Sequence, residues 1–343
     1  MEIAEILTCG KKQNCSDVHI SSGACPMFRI DGEIVAMPNA EILSSKQILE
    51  MLDSIMDKQQ KKIYEEKLDF DFAITIGDNL RFRVNAFNTI SGPAAAFREI
   101  LPDVSSLLDL GVPASVHALS SAQKGLILVV GPTGSGKSTT ISALIDQINS
   151  NYQSHIITIE DPVEFLHKNK KSLVNQREVG NNTPSFASAL RGALREDPDV
   201  ILVGEMRDLE TIDLALTAAA TGHLVFATLH TNSAAQSISR IVDVFPAQDK
   251  ISVRSTLSSS IKAVISQRLI KKKGGGRCAV FEVMIANTSI RNLIREDKIP
   301  QINSIIEISK RSGMTSMKDS INDLLARGVI EEEIAKEALS AEE

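Results

Sequence analysis

The spacing of apolar residues changes along the chain. Near the start it forms short runs, Val18-His19-Ile20, Met27-Phe28-Arg29-Ile30 and Glu33-Ile34-Val35, which predict strands. Asp31-Gly32, between the last two, is a hairpin-turn signal. Over 45–65, Ile48, Leu52, Ile55, Met56 and Ile63 recur near every third or fourth position, which predicts a helix. Residues 69–76, 80–88 and 94–100 predict further strands, with Asp78-Asn79 and Ser91-Gly92-Pro93 as turns. Residues 1–100 therefore read as a small α+β domain. Leu101-Pro102-Asp103 and Leu110-Gly111-Val112-Pro113 interrupt the pattern, so 101–122 reads as a linker, either a helix cap plus loop or a hinge.

From 123 the pattern changes. Continuous apolar runs at 126–130, 156–159, 200–203 and 224–227 alternate with helical stretches. Unbroken runs suit parallel strands buried on both faces, so 123–285 reads as an α/β core. Beyond it the chain turns helical at 290–295, 301–310, 317–326 and 330–339, with Pro300, Gly313 and Gly328 between the helices. Residues 286–343 thus form a C-terminal helical region. Lys271-Lys272-Lys273-Gly274-Gly275-Gly276 reads as a solvated turn.

Composition adds limits. The 343 residues suffice for about two domains. A net charge of −6 and an aromatic content of 4% without tryptophan argue against a nucleic-acid partner, which wants basic charge and stacking platforms. Cys9, Cys15, Cys25 and Cys278 form no C-x-x-C pair, so a structural zinc site has no support. Met1-Glu2-Ile3-Ala4-Glu5 has no basic n-region, and no apolar run approaches the roughly 20 residues of a membrane span. The expectation is a cytoplasmic protein that meets a membrane only through a partner.

The chemistry is concentrated after the first long apolar run. Gly131-Pro132-Thr133-Gly134-Ser135-Gly136-Lys137-Ser138-Thr139 lies between a strand and a helix, the context of a phosphate-binding P-loop. Glycines let successive N–H groups turn toward phosphate oxygens, and the new helix presents its positive end to the same anion. Gly131, Thr133, Gly134, Ser135, Gly136 and Thr139 would line the nucleotide, Lys137 would reach the β- and γ-phosphates, and Ser138 would hold Mg²⁺. Thr158-Ile159-Glu160-Asp161-Pro162-Val163-Glu164 brings carboxylates to a strand end, where they would orient water or, alternatively, start a helix at Asp161-Pro162. Asp199-Val200-Ile201-Leu202-Val203-Gly204-Glu205 ends a buried strand in an acid, which would hold Mg²⁺ or activate the nucleophile. Another strand, bracketed by His223 and His230, delivers Thr228 and His230 at its edge, where they would sense the γ-phosphate by hydrogen bonding. Arg81, Arg83, Arg98, Arg191 and Arg195 supply candidate cations, and spacing alone does not choose among them.

Together these segments resemble the type II/IV secretion ATPases. The P-loop, the Glu160–Glu164 segment, Ala193-Leu194-Arg195-Glu196-Asp197-Pro198 running on through Glu205-Met206-Arg207-Asp208, and Thr221-Gly222-His223 running on to His230 are similar to the family's Walker A, Asp, Walker B and His boxes. Ser16-Asp17-Val18-His19-Ile20 and Arg29-Ile30-Asp31-Gly32 resemble the start of its PAS-like N-terminal domain. Ser289-Ile290-Arg291-Asn292-Leu293-Ile294-Arg295-Glu296 resembles a motif of its pilus-retraction branch, with Ser289 where alanine is usual. The resemblance implies an α/β fold: a PAS-like N-terminal α+β domain, a RecA-like P-loop ATPase core and C-terminal helices. It implies a homo-hexameric, ATP- and Mg²⁺-dependent motor for type IV pilus retraction and twitching motility, with an accessory retraction ATPase as the alternative and a nucleic-acid motor less favoured. Glu160, Glu164 and Glu205 would divide metal binding and water activation, His230 with His223 would read the γ-phosphate, and Arg83 and Arg98 would act as fingers across a subunit interface. A hinge at 101–122 would couple nucleotide state to domain rotation, and the ring would dock on an inner-membrane pilus platform protein.

Overall fold

Two sheets organise the chain. The computed structural model describes residues 2–30, 32–77, 80–100 and 104–340. Asp31 of the expected hairpin turn, the Asp78-Asn79 turn and the Leu101-Pro102-Asp103 break lie outside the described residues. The chain divides into two compact units, one running through residue 103 with residues 164–166, the other comprising 104–163 and 167–343.

The first unit runs α1 (Ile3–Lys12), β1 (Asp17–Ser21), β2 (Met27–Ile30), β3 (Glu33–Ala36), α2 (Ser45–Ile55), α3 (Lys58–Lys67), β4 (Asp69–Ile76), β5 (Leu80–Thr89) and β6 (Gly92–Ile100). The strands form one antiparallel sheet in the order β3-β2-β1-β6-β5-β4. Ile6, Leu7, Ile48 and Leu52 close its core against Val18, Ile20, Phe28 and Phe97. The helix expected over 45–65 is two helices. Met56 turns extended, and the Asp57 carboxylate then accepts from the N–H groups of Gln59 and Gln60, starting α3. Gly92 and Pro93, expected in a turn, open β6. Helix α1 was not anticipated, although Ile3, Ile6, Leu7 and Gly10 are its buried face at helical spacing.

The second unit runs α4 (Ala114–His117), β7 (Gly125–Val130), α5 (Lys137–Asn151), β8 (His155–Glu160), β9 (Leu173–Glu178), α6 (Phe186–Ala193), β10 (Val200–Val203), α7 (Leu209–Ala220), β11 (Leu224–Leu229), α8 (Ala234–Asp243), α9 (Lys250–Ser260), β12 (Ile261–Lys271), β13 (Arg277–Ile285), α10 (Thr288–Arg295), α11 (Ile302–Ile308), α12 (Met317–Ala326) and α13 (Glu332–Ser340). Its sheet has the order β13-β12-β7-β11-β10-β8-β9, parallel except for the β12–β13 pair. Strands β7, β10 and β11 are buried at every position, which is why they read as unbroken apolar runs. Residues 104–122, read as a linker, pack into this unit: Leu107, Val112, Val116 and Leu119 are buried against β7 and α5.

The C-terminal helices divide between two clusters. Ile290, Ile294, Ile302 and Ile306 join the main core, whereas Met317, Ile321, Ile330 and Ala335 pack over Val280 of β13. Within the segment 289–296, Arg291 donates to the carbonyl oxygens of Ser258 (2.5 Å), Ser259 (2.8 Å) and Ile261 (2.8 Å), so a half-buried guanidinium closes the C-terminal end of α9. Arg291→Ala strands those carbonyls and is expected to lower the unfolding free energy by roughly 1–3 kcal/mol, read by urea denaturation. An unchanged midpoint would exclude this capping role.

Candidate active site

Parallel register gathers the motif segments at one sheet edge. Leu229 of β11 pairs with Val130 of β7, so His230 and Gly131 leave the sheet side by side. Val203 of β10 pairs with both Ala227 of β11 and Ile159 of β8, so Gly204-Glu205 and Glu160 emerge at the same edge. Open parallel sheets bind ligands beyond the carboxyl ends of their strands, and these residues occupy that position.

The loop 131–136 has the form the glycines predict. Gly131 and Gly136 have φ of 148° and 86°. Both also lie against Gln267 of β12: a Cβ at Gly131 would overlap the Gln267 carbonyl oxygen, and one at Gly136 would lie 2.8 Å from its Nε2. No side chain caps α5 at Gly136, whereas Ser185, Asp208 and Ser233 cap α6, α7 and α8 of the same sheet. With no side chain capping it, the start of α5 is a place where a helix can receive an anion. Lys137 Nζ donates to the Gly131 and Pro132 carbonyls at 2.8 and 2.9 Å. Ser135 Oγ is buried with no hydrogen-bond partner, while Ser138 and Thr139 are half-buried and Thr133 and Gly134 exposed. An orphaned hydroxyl inside an uncapped glycine cradle fits a phosphate ligand.

Glu205 is the centre of a charged cluster that the sequence did not reveal. Its Oε2 lies 2.6 Å from Arg207 Nη2, and its Oε1 lies 3.2 Å from His230 Nε2. Burial pushes the Glu205 carboxyl up, but hydrogen bonds and charge from Arg207 and His230 outweigh it and hold the group below the usual carboxylate range. Glu205 is thus ionised at neutral pH. Gly204 lets β10 and β8 approach closely, since a Cβ there would meet the Ile159 carbonyl at 3.0 Å. Thr228 donates its hydroxyl to the Gly204 carbonyl, and the Met206 N–H donates to the Thr228 carbonyl, fixing the turn that carries Glu205.

The other candidates are dispersed. Glu160 Oε1 accepts from Thr158 Oγ1 at 2.6 Å and from Gln176 Nε2 at 3.3 Å. The Asp161-Pro162 step starts no helix; residues 161–172 are irregular. Glu164 is exposed and groups with the first unit. His223 is not brought to this edge. It precedes β11, at the opposite end of the strand, with Nδ1 3.0 Å from the Ala218 carbonyl oxygen, because the strand between the two histidines separates them by its whole length. Arg83 and Arg98 face each other across β5 and β6 of the first unit, flanked by Asp71 (3.7 Å) and Asp17 (2.8 Å). Arg191 pairs with Glu210 at 2.8 Å.

Beside the loop, within the second unit, a cavity of about 430 Å³ is lined by Thr139, Thr140, Gln267, Cys278, Leu324 and Arg327 among others. Its size suits the nucleoside part of a nucleotide. A larger cavity, about 790 Å³, lies in the first unit among α1, α2 and β4 and contains none of the motif residues. Among the described residues no three His, Cys, Asp or Glu side chains group as a metal site. Nor, among the described residues, is any helix long and apolar enough to cross a membrane.

Residues 2–275 match the family model for Type II/IV secretion system protein. The chain is 52% identical to the type IV pilus retraction ATPase PilT of Pseudomonas aeruginosa, over 98% of both proteins. It is 36% identical to that organism's type IV pilus ATPase PilU, over 96% of this chain and 86% of the relative. The crystal structure of the pilus retraction motor PilT with bound ADP matches with a TM-score of 0.93 and 47% identity, covering 98% of this chain and 97% of that one. The match extends through both units and the C-terminal helices. With its P-loop, ionised Glu205 and shared strand edge, the chain belongs to the Type II/IV secretion system family and is one of its ATPases.

Proposed function

We propose that this ATPase powers type IV pilus retraction as a homo-hexamer docked on a pilus platform protein at the inner membrane. The reading is carried by the strand register that sets Gly131, His230, Glu205 and Glu160 along one edge. Greater identity to the retraction ATPase (52%) than to the accessory PilU (36%) supports the principal motor over the accessory one. The N-terminal sheet, with β1 between β2 and β6, supports a PAS-like domain, and the parallel sheet with its P-loop supports a RecA-like core.

The residues divide the work as follows. The loop N–H groups and Lys137 hold the triphosphate, and the 430 Å³ cavity takes the nucleoside. Ser138 and Glu205 would hold Mg²⁺, an all-oxygen set suited to a hard cation that draws its remaining ligands from phosphate and water. When bound, Mg²⁺ supplies charge compensation for the phosphates. Glu205, with Glu160 in support, orients the attacking water and accepts its proton as oxygen bonds to the γ-phosphorus and ADP departs. His230, hydrogen-bonded to Glu205, reports the state of the γ-phosphate. Arg83 and Arg98 stabilise the transition state from a neighbouring subunit. Each arginine already has a carboxylate beside it, Asp71 at 3.7 Å and Asp17 at 2.8 Å, so a neighbour's phosphate would compete with those aspartates.

Deleting the gene is expected to leave cells densely piliated and unable to twitch. Bald cells would overturn the retraction reading in favour of pilus extension.

A further inference from the structure

Strand β12 carries two adjacent buried polar residues whose side chains have separate partners. Ser266 and Gln267 are 0% and 3% exposed. On a strand, successive side chains point to opposite faces. Ser266 Oγ donates to the Asn232 carbonyl at 2.7 Å, just beyond His230. Gln267 Nε2 donates to the Ser135 carbonyl at 2.8 Å, and its Oε1 accepts from Thr140 Oγ1 at 2.7 Å. Thr140 is itself 1% exposed, in the first turn of α5. One amide thus spans the two halves of the phosphate loop, the glycine turn and the helix that follows it.

We infer that Gln267 is a positioning residue of the ATPase site, holding the phosphate loop in its nucleotide-accepting shape. This rests on the nucleotide-binding reading above. Three observations converge on it. A buried amide is costly unless both its functions are paired, and here the loop pairs them. The loop glycines 131 and 136 are confined by the Gln267 carbonyl and Nε2, so the loop is built around this residue. Donation to the Ser135 carbonyl also polarises the Ser135–Gly136 peptide, strengthening its N–H as a phosphate donor. Gln267 touches no reacting atom. It acts through Ser135, Gly136 and Thr140, and Ser266 applies the same tether to the loop after His230.

The test uses the full chain, with ADP as the equilibrium probe and steady-state ATP hydrolysis with Mg²⁺. Gln267→Leu keeps the bulk and removes both hydrogen bonds. It is expected to raise the ADP Kd and the KM for ATP by roughly 10- to 100-fold, as expected for two lost hydrogen bonds. The kcat at saturation is expected to stay within about threefold, because the acid–base groups are untouched. A structural role alone would lower the melting temperature without that split between KM and kcat. Thr140→Val, which leaves Gln267 bound to Ser135, is expected to weaken ADP binding in the same direction by roughly 3- to 10-fold, and it decides the matter if Gln267→Leu does not fold. Unchanged ADP affinity in a folded Gln267→Leu, or failing that in Thr140→Val, overturns the inference. Failure of the unsubstituted protein to bind ADP would instead overturn the nucleotide-binding reading.

Discussion

Lys137→Ala abolishes nucleotide binding: the ADP Kd is expected to rise by roughly 100-fold or more, and hydrolysis to fall to background. The ammonium is the single strong cation of the loop, held 2.8–2.9 Å from the Gly131 and Pro132 carbonyls at the entrance of the uncapped α5. Its loss removes charge-assisted contacts that no neighbour can replace. The same variant tests the arginines. Arg98→Ala subunits alone are expected to be inactive, yet rings mixed from Arg98→Ala and Lys137→Ala subunits should regain some hydrolysis. In such rings an intact Lys137 site can meet an intact Arg98 from its neighbour. No recovery at any mixing ratio would exclude a finger acting in trans. ADP affinity near that of the unsubstituted protein in Lys137→Ala would remove the loop from the mechanism.

Glu205→Gln separates binding from chemistry. ATP is expected to bind within a few-fold of normal while kcat falls by roughly 10²–10⁴-fold, the range ascribed to general-base assistance. Glutamine keeps an oxygen for Arg207 or His230, so the turn between β10 and Met206 survives, and with Arg207 largely exposed little stability hangs on the ion pair. The pH dependence has a definite sign. Because the folded carboxyl is held low, its contribution to stability is present above the unfolded carboxylate pKa and is lost as pH falls through the depressed folded value. The glutamine variant lacks that acid limb. Turnover at the normal rate in Glu205→Gln would remove Glu205 from the chemistry.

What could be read from the sequence follows from how local each signal is. The P-loop was legible because its strand, glycines and helix are consecutive. Strands β7, β10 and β11 were legible because burial on both faces leaves no polar position to interrupt them. Strands β12 and β13 went unnoticed: Ser266, Gln267 and Glu282 interrupt their apolar runs, and the reason for those residues lies in distant loops. Gln267 meets Ser135 across 132 positions, a contact without periodicity. Arg207 was in view within the Walker B segment, but its partnership with Glu205 depends on the turn after β10. His223 misled because a motif places two histidines near each other in the chain while the strand carries them to opposite edges. The helix break at Asp57 and the amphipathic α1 were readable from a capping pair and from i, i+3, i+4 spacing.

The missing cap of α5 has a thermodynamic consequence. Its sister helices each begin with their own serine or aspartate, a device worth about 1 kcal/mol apiece. Helix α5 has no such residue, so a phosphate bound at its start would take the place of the cap, and ligation would add to the stability of the helix. The first turn is wound before any ligand arrives, with the Thr140 N–H on the Gly136 carbonyl, so each nucleotide that enters would cap a helix already in place.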